Sequence, residues 1–218
     1  IYGVIGNSWW DESVSANDID RALKEAGDND IIVYLNSPGG DTFDGISIFN
    51  RLKRHHGKVT VYVDGWAASA ASIIAMAGDE VIMSLGSMLM IHEAWNIIIG
   101  SKTDMRKEAD VLEELEEGII DIYMTKANIS REEVRSMVDA ETWFSAKKAV
   151  ELGFADKLEG DQTENDDDND EDVVLNSAIR TLEEKQQILN ELKTVLNKEP
   201  APNKTNGKGS FNMLKKWR

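Results

Sequence analysis

Between residues 30 and 94 the chain alternates β-rich runs with helical segments, and that alternation constrains the fold more than any other feature of the sequence. "DIIVYLNSPGG" (30–40) is a strongly β-type run broken by Pro38-Gly39-Gly40, and "GISIFNRLKRHHG" (45–57) follows it with helical spacing. "KVTVYVDG" (58–65) is a second strand, leading into "GWAASAASIIAMAG" (65–78), which has the composition of a short buried helix. "DEVIMS" and "SMLMIHEA" are two further short strands. Strands separated by helices point to βαβ units, with parallel strands and right-handed crossovers. In sheets of that kind, sites form beyond the carboxyl ends of strands. Residues 36–40 and 65–69 lie at two such ends.

The flanking segments extend the pattern. "IYGVIG" (1–6) reads as a strand and "SANDIDRALKEAG" (15–27) as a helix with a polar start and Gly27 as its stop. A long helix is expected over 103–127, with shorter ones over 130–138 and 145–153. Residues 161–172, "DQTENDDDNDED", hold eight acidic side chains and no basic one, about half of the net charge of −16. Such a run reads as a solvated, disordered linker, because like charges repel and nothing in it can be buried. A calcium loop is disfavoured, since the usual loop glycine and terminal glutamate are missing. Beyond it, Leu175, Ile179, Leu182, Leu189, Leu192 and Leu196 recur at three- and four-residue spacing, broken only at Gln186. That stripe predicts an amphipathic helix over 173–199 that needs a partner helix or surface. The tail 200–218 is linker-like and ends in a basic-aromatic patch.

Several function classes fall away on composition. With no cysteine, disulfide frameworks, thiol nucleophiles and thiolate metal sites are excluded. The acidic balance argues against a nucleic-acid partner, and no apolar run approaches the roughly 20 residues of a membrane span. Neither a metal nor any other cofactor is expected.

What remains is a hydroxyl in unusual company. Within 65–78, Ser69 precedes the helical run, which leaves its side chain exposed at the helix start, while Ser72 lies one turn inside and reads as a packed residue back-bonding to the chain. A serine needs an adjacent base. Of three histidines, His55 and His56 sit at a polar helix end. His92, in "MLMIHEAW", is either a satisfied core residue or the base. "NSPGGD" is either a tight strand-to-helix turn or a loop whose glycines present a backbone N–H to a developing oxyanion. The N–H of Ala70, at a helix start and without an intrahelical partner, is a second candidate donor. The G-x-S-x-G elbow of α/β-hydrolases is absent.

"YLNSPGGDTFDGISIFN", "GWAASAASIIAMAG", "MLMIHEAW" and "ETWFSAKKAVELGFAD", in this order and spacing, resemble the ClpP family of serine peptidases over residues 1 to about 160. The "ETWFSA" block and the acidic, helical extension look closest to the ClpP-like head maturation (prohead) proteases of tailed phages and prophages. The resemblance implies an α/β fold with a ClpP/crotonase-like repeated ββα core, a long handle-type helix, and a peptidase domain over 1–160. It places the nucleophile on Ser69, the base on His92 and the oxyanion donors on Gly40 and Ala70. It places the triad acid on Glu141, a departure from the family's aspartate, with Asp139 as the alternative. It implies a homo-oligomeric ring acting on a protein or peptide substrate, capsid or scaffold precursors being the expected class, in the bacterial host cytoplasm or within a procapsid. After His92, "WNIIIGSKT" (95–103) is poorer in glycine than the family's ring-to-ring handle and reads as an edge strand. Two other readings stand beside the peptidase: a crotonase-type enzyme acting on acyl-CoA thioesters, and a capsid-assembly or scaffolding component.

Overall fold

The computed structural model describes residues 1–8 and 12–161. The amphipathic helix expected over 173–199, the tail 200–218 and all of the acidic segment except Asp161 lie outside the described residues. In chain order the elements are β1 (Val4–Ile5), β2 (Ser13–Val14), α1 (Ala16–Ala26), β3 (Ile31–Ser37), α2 (Thr42–Lys53), β4 (Val59–Ala68), α3 (Ala70–Ala75), β5 (Glu80–Met83), β6 (Met88–Ile91), α4 (Lys102–Tyr123), α5 (Arg131–Asp139), β7 (Thr142–Ser145), α6 (Ala146–Glu151) and β8 (Lys157–Leu158).

The architecture is mixed α/β, organised around β4. The main sheet runs β7-β6-β4-β5-β8, with β3 also pairing to β4. β3 lies parallel to β4 from the Ile31–Val59 pair to the Ser37–Ala67 pair, with an irregularity between Leu35 and Ser37. Two strands share the rest of β4: β5 pairs with Thr60–Val63, and β6 pairs with Trp66–Ala68. β4 therefore serves three neighbours. It is buried on alternate residues at first (Val59, Val61 and Val63) and then on consecutive ones (Ala67 and Ala68). The alanines let neighbouring backbone approach where the strand ends.

Three features depart from the sequence reading. The strand expected to stop at Gly65 continues through Ala68, because Trp66, Ala67 and Ala68 complete ladder pairs with β6. Helix α3 consequently occupies only Ala70–Ala75. "TWFS" forms strand β7, antiparallel to β6, where the βαβ pattern leads one to expect parallel neighbours only. Residues 95–100, expected as an edge strand, are irregular; there Asn96 Oδ1 accepts from the Ile97 N–H at 2.8 Å, and Asn96 Nδ2 donates to Glu108 at 2.7 Å.

Local chemistry fixes the helix starts. Ser15, Ser101 and Ser130 each accept from the backbone three residues on, while Asp18, Asp104 and Glu133 reach back to the cap N–H, forming capping boxes. Asp41 and Ser145 cap α2 and α6. The core gathers Leu35, Ile48, Val61, Ile74, Met83, Leu89 and Ile91 between sheet and helices, joined by an aromatic group under α4 and α6. In that group Phe154 stacks on Phe144 at 5.1 Å and meets Tyr123 edge-on at 5.9 Å. No helix among the described residues is long and apolar enough to cross a membrane. Because Phe154 is fully buried between two rings, Phe154→Ala is expected to destabilise the fold by about 3–5 kcal/mol. The urea unfolding midpoint measures it.

Candidate active site

The site is built where β4 ends. Ser69 follows Ala68 with φ 55 and ψ −125, one of two non-glycine residues at positive φ among those described. The other is Glu141, at φ 48. Such conformations cost of order 1–3 kcal/mol each and persist only where the surroundings over-determine them. At Ser69 the constraints are visible. Its N–H donates to the Met90 carbonyl at 3.0 Å, and its own carbonyl accepts from the N–H of Ser72 at 2.9 Å.

Serine is a favoured helix cap, yet Ser69, in the cap position of α3, makes no side-chain cap bond. Its hydroxyl turns instead to His92, with Oγ and Nε2 2.8 Å apart. The bond from Ser69 N–H to Met90 explains this pairing: it locks the serine's backbone to the strand that carries His92 two residues later. Both side chains are partly buried.

The N–H donors named from the sequence flank this serine. Gly39, at φ 91, backs onto it so closely that a Cβ there would lie 2.7 Å from Ser69 Cβ, 2.6 Å from the Ala68 carbonyl oxygen and 2.9 Å from Ala70 N. The Gly39 N–H is taken by Ser37 Oγ at 3.0 Å. Gly40 bridges Ile5 through its neighbours: Ile5 N–H donates to the Gly39 carbonyl, and Asp41 N–H donates to the Ile5 carbonyl. In a parallel bridge of this kind the central residue's own N–H points away from its partner. The Gly40 N–H is thereby left open, as is that of Ala70 at the first position of α3.

The two candidate acids differ in position. The β6–β7 register ends with the Ile91–Thr142 pair, and His92 and Glu141 are the next residues beyond it on the two chains. Glu141 accepts from the Trp143 indole N–H at 3.3 Å. Asp139, at the end of α5, lies 3.9 Å from Arg135. Among the described residues neither carboxylate hydrogen-bonds to the imidazole, so the structure brings Ser69 and His92 together and does not join either acid to them.

Ser72 is the packed, back-bonding residue that the sequence indicated, while its link to Tyr123 and the pairing of Glu116 lay beyond sequence reasoning. Ser72, fully buried, donates its hydroxyl to the Ser69 carbonyl at 2.6 Å and shares a second bond with Tyr123 Oη of α4 at 2.7 Å. Burial pushes the Tyr123 phenol well above its ordinary range, against the pull of Ser72. Two turns earlier on α4, the buried Glu116 accepts from the Ala94 N–H at 3.0 Å and from Arg135 at 2.9 Å. Burial raises the Glu116 carboxyl above the usual carboxylate range, and the charge of Glu93 adds to it; Arg135 and the Ala94 N–H pull the other way. Glu93, Glu116 and Asp139 lie close enough together to face a common cation, and Arg135 fills that role through ion pairs to the latter two.

Comparison with known proteins gives one answer. The family model described as Clp protease matches residues 15–162. ATP-dependent Clp protease proteolytic subunit 1 of Protochlamydia amoebophila is 30% identical over 132 residues, covering 59% of this chain and 64% of that protein. The subunit of the same name from Chlamydia muridarum is 31% identical over 132 residues, covering 59% and 69%. The chain thus spans about two thirds of the length of these curated relatives. Among solved structures, a ClpP1 mutant from Listeria monocytogenes shares the fold with a TM-score of 0.64 at 23% identity, over 74% of this chain and 90% of that one.

The Ser72–Tyr123 pair generates a thermodynamic test. Ser72→Ala strands a buried phenol and is expected to cost about 1–3 kcal/mol, whereas adding Tyr123→Phe removes the stranded group and recovers much of the loss. Thermal unfolding of the two single variants and the double variant reads the cycle.

Proposed function

The chain belongs to the Clp protease family, and on that premise we propose that it is a serine endopeptidase working through Ser69 and His92. The observation that carries this reading is the 2.8 Å approach of Ser69 Oγ to His92 Nε2, made by a serine that forgoes its helix cap. In the proposed reaction, His92 takes the hydroxyl proton as Ser69 Oγ attacks a peptide carbonyl. The N–H groups of Gly40 and Ala70 receive the charge that develops on the carbonyl oxygen, an interaction worth about 3–4 kcal/mol of barrier per donor. The protonated His92 then gives its proton to the leaving amine, and water, activated by the same imidazole, releases the acyl-enzyme.

Glu141 is proposed as the acid. Its support is its place just beyond the Ile91–Thr142 pair, as His92 is on the facing strand. Glu141 would accept from His92 Nδ1–H, fixing the tautomer that leaves Nε2 free to act as base. Asp139 is the weaker choice, because Arg135 already engages it. A crotonase-type thioester chemistry needs the two N–H donors but not the serine–histidine pair, so the pairing favours peptide hydrolysis.

The proposed substrates are capsid or scaffold precursors of a phage or prophage, processed by a ring of identical subunits. The "ETWFSA" block and the acidic, stripe-bearing extension motivate this placement. A scaffolding role for that extension is compatible with it. The second reading is general degradation, favoured by the ATP-dependent Clp subunits among the relatives. Co-expression with a capsid precursor separates the two: defined cleavage products without an ATPase favour maturation, and hydrolysis of folded protein only with an ATPase favours degradation.

A fluorophosphonate probe followed by peptide mapping tests the chemistry. The adduct is expected on Ser69, absent in Ser69→Ala and retained in Ser72→Ala. An adduct that survives Ser69→Ala, or thioester turnover that survives it, contradicts the proposal.

A further inference from the structure

Glu116 is the one charged residue among the buried polar side chains of the described chain. Burying a carboxylate is costly unless it is paired and hydrogen-bonded, so its partners reveal what the position secures. They are two, and they come from opposite sides of the site. Oε1 accepts from the N–H of Ala94, two residues beyond His92. There β6 has ended, and the ladder that orders Met88–Ile91 no longer holds the backbone. Oε2 accepts from Arg135 on α5, whose helix ends at Asp139, two residues before Glu141.

The same face of α4 reaches the third part of the site. Glu116, Ile119, Ile120 and Tyr123 form its buried stripe, at the spacing of one helix face. Ile119 and Ile120 pack in the core, and Tyr123 holds Ser72, which in turn holds the Ser69 carbonyl. A rigid helix thus touches the serine's turn at one end of its stripe and the chain leaving the histidine at the other.

We propose that Glu116 is a positioning residue that sets His92 relative to both Ser69 and Glu141, through its paired bonds to Ala94 and Arg135. The proposal rests on the peptidase reading above. Glu116 touches neither substrate nor the reacting atoms. It limits the drift of the segment after β6 and ties it to the helix that delivers the acid. Proton transfer tolerates little misplacement, and an error of ~1 Å can cost about 100-fold in rate. Loss of the carboxylate therefore slows chemistry while leaving substrate binding close to normal.

Glu116→Met and Glu116→Gln in the full chain test this. Active sites are titrated with a fluorophosphonate, and kcat and KM for a fluorogenic peptide are then expressed per titrated site. Glu116→Met is expected to lower kcat at least about tenfold with KM within about twofold. Glu116→Gln, which keeps an acceptor for the Ala94 N–H but turns an amide NH2 toward Arg135, is expected to regain only part of that loss. A purely structural role gives the opposite pattern: a lower melting temperature and fewer titratable sites, each turning over at the wild-type kcat. That result overturns the proposal. Should Glu116→Met not fold, Arg135→Gln carries the test, since it leaves the Ala94 acceptor in place and cuts the tie to α5. An unchanged kcat per site in that variant also overturns it. Wild-type protein that takes no label at Ser69 is a different failure, that of the peptidase reading itself.

Discussion

The hydrogen bond from Ser69 N–H to the Met90 carbonyl is the constraint on which the rest of the site depends. It fastens the end of β4 to β6 at the point where the chain must leave the sheet. Without it the positive-φ turn would be held only through the Ser69 carbonyl, and the hydroxyl would be free to cap α3 as the other cap residues cap theirs. With it, one strand presents the hydroxyl and its neighbour presents the imidazole, at a distance set by the sheet and not by two flexible loops. Gly39 completes the fit from below. A side chain at that position would collide with the Ser69 side chain and with the backbone of Ala68 and Ala70 on either side of it.

A second layer stabilises this arrangement from behind. α4 is amphipathic, and its buried stripe carries polar groups at both ends. Tyr123 and Ser72 fix the serine's carbonyl, while Glu116, itself held by Arg135, anchors the irregular segment after His92 at Ala94. Desolvation of Glu116 and Tyr123 is the cost of placing such groups inside, visible in the upward displacement of both their pKa values. Polar groups buried at that cost restrict geometry more tightly than apolar packing does, because an unmade bond there has no water to replace it. The site can then be read as a sheet junction steadied by one helix.

The sequence disclosed the parts whose chemistry is local. "NSPGG" requires a backbone that only glycine adopts easily, and Gly39 and Gly40 do lie at positive φ. "MLMIHEA" marked a histidine at the end of an apolar strand, which is where β6 delivers it. Parts that depend on distant pairing stayed hidden. "GWAA" looks helical by composition, and only the ladder with Met88–Met90 makes it strand. "TWFS" is too short for periodicity to decide, and its antiparallel pairing emerges only against β6. Glu116 sits in "EELEEG", where five of six residues would serve on a solvated helix face, so nothing local distinguishes the one that is buried. Its partners, at positions 94 and 135, are 22 and 19 residues away.

The most direct measurement of the central claim is a crystal structure of the enzyme carrying a covalent peptidyl phosphonate. The account predicts phosphorus bonded to Ser69 Oγ, with one phosphonyl oxygen about 2.7–3.1 Å from the backbone nitrogens of both Gly40 and Ala70. His92 should stay within hydrogen-bond reach of the ester oxygen, and the Glu141 carboxylate should meet Nδ1. An adduct on another side chain, or one on Ser69 whose oxygen points to solvent with both N–H groups turned elsewhere, would contradict it.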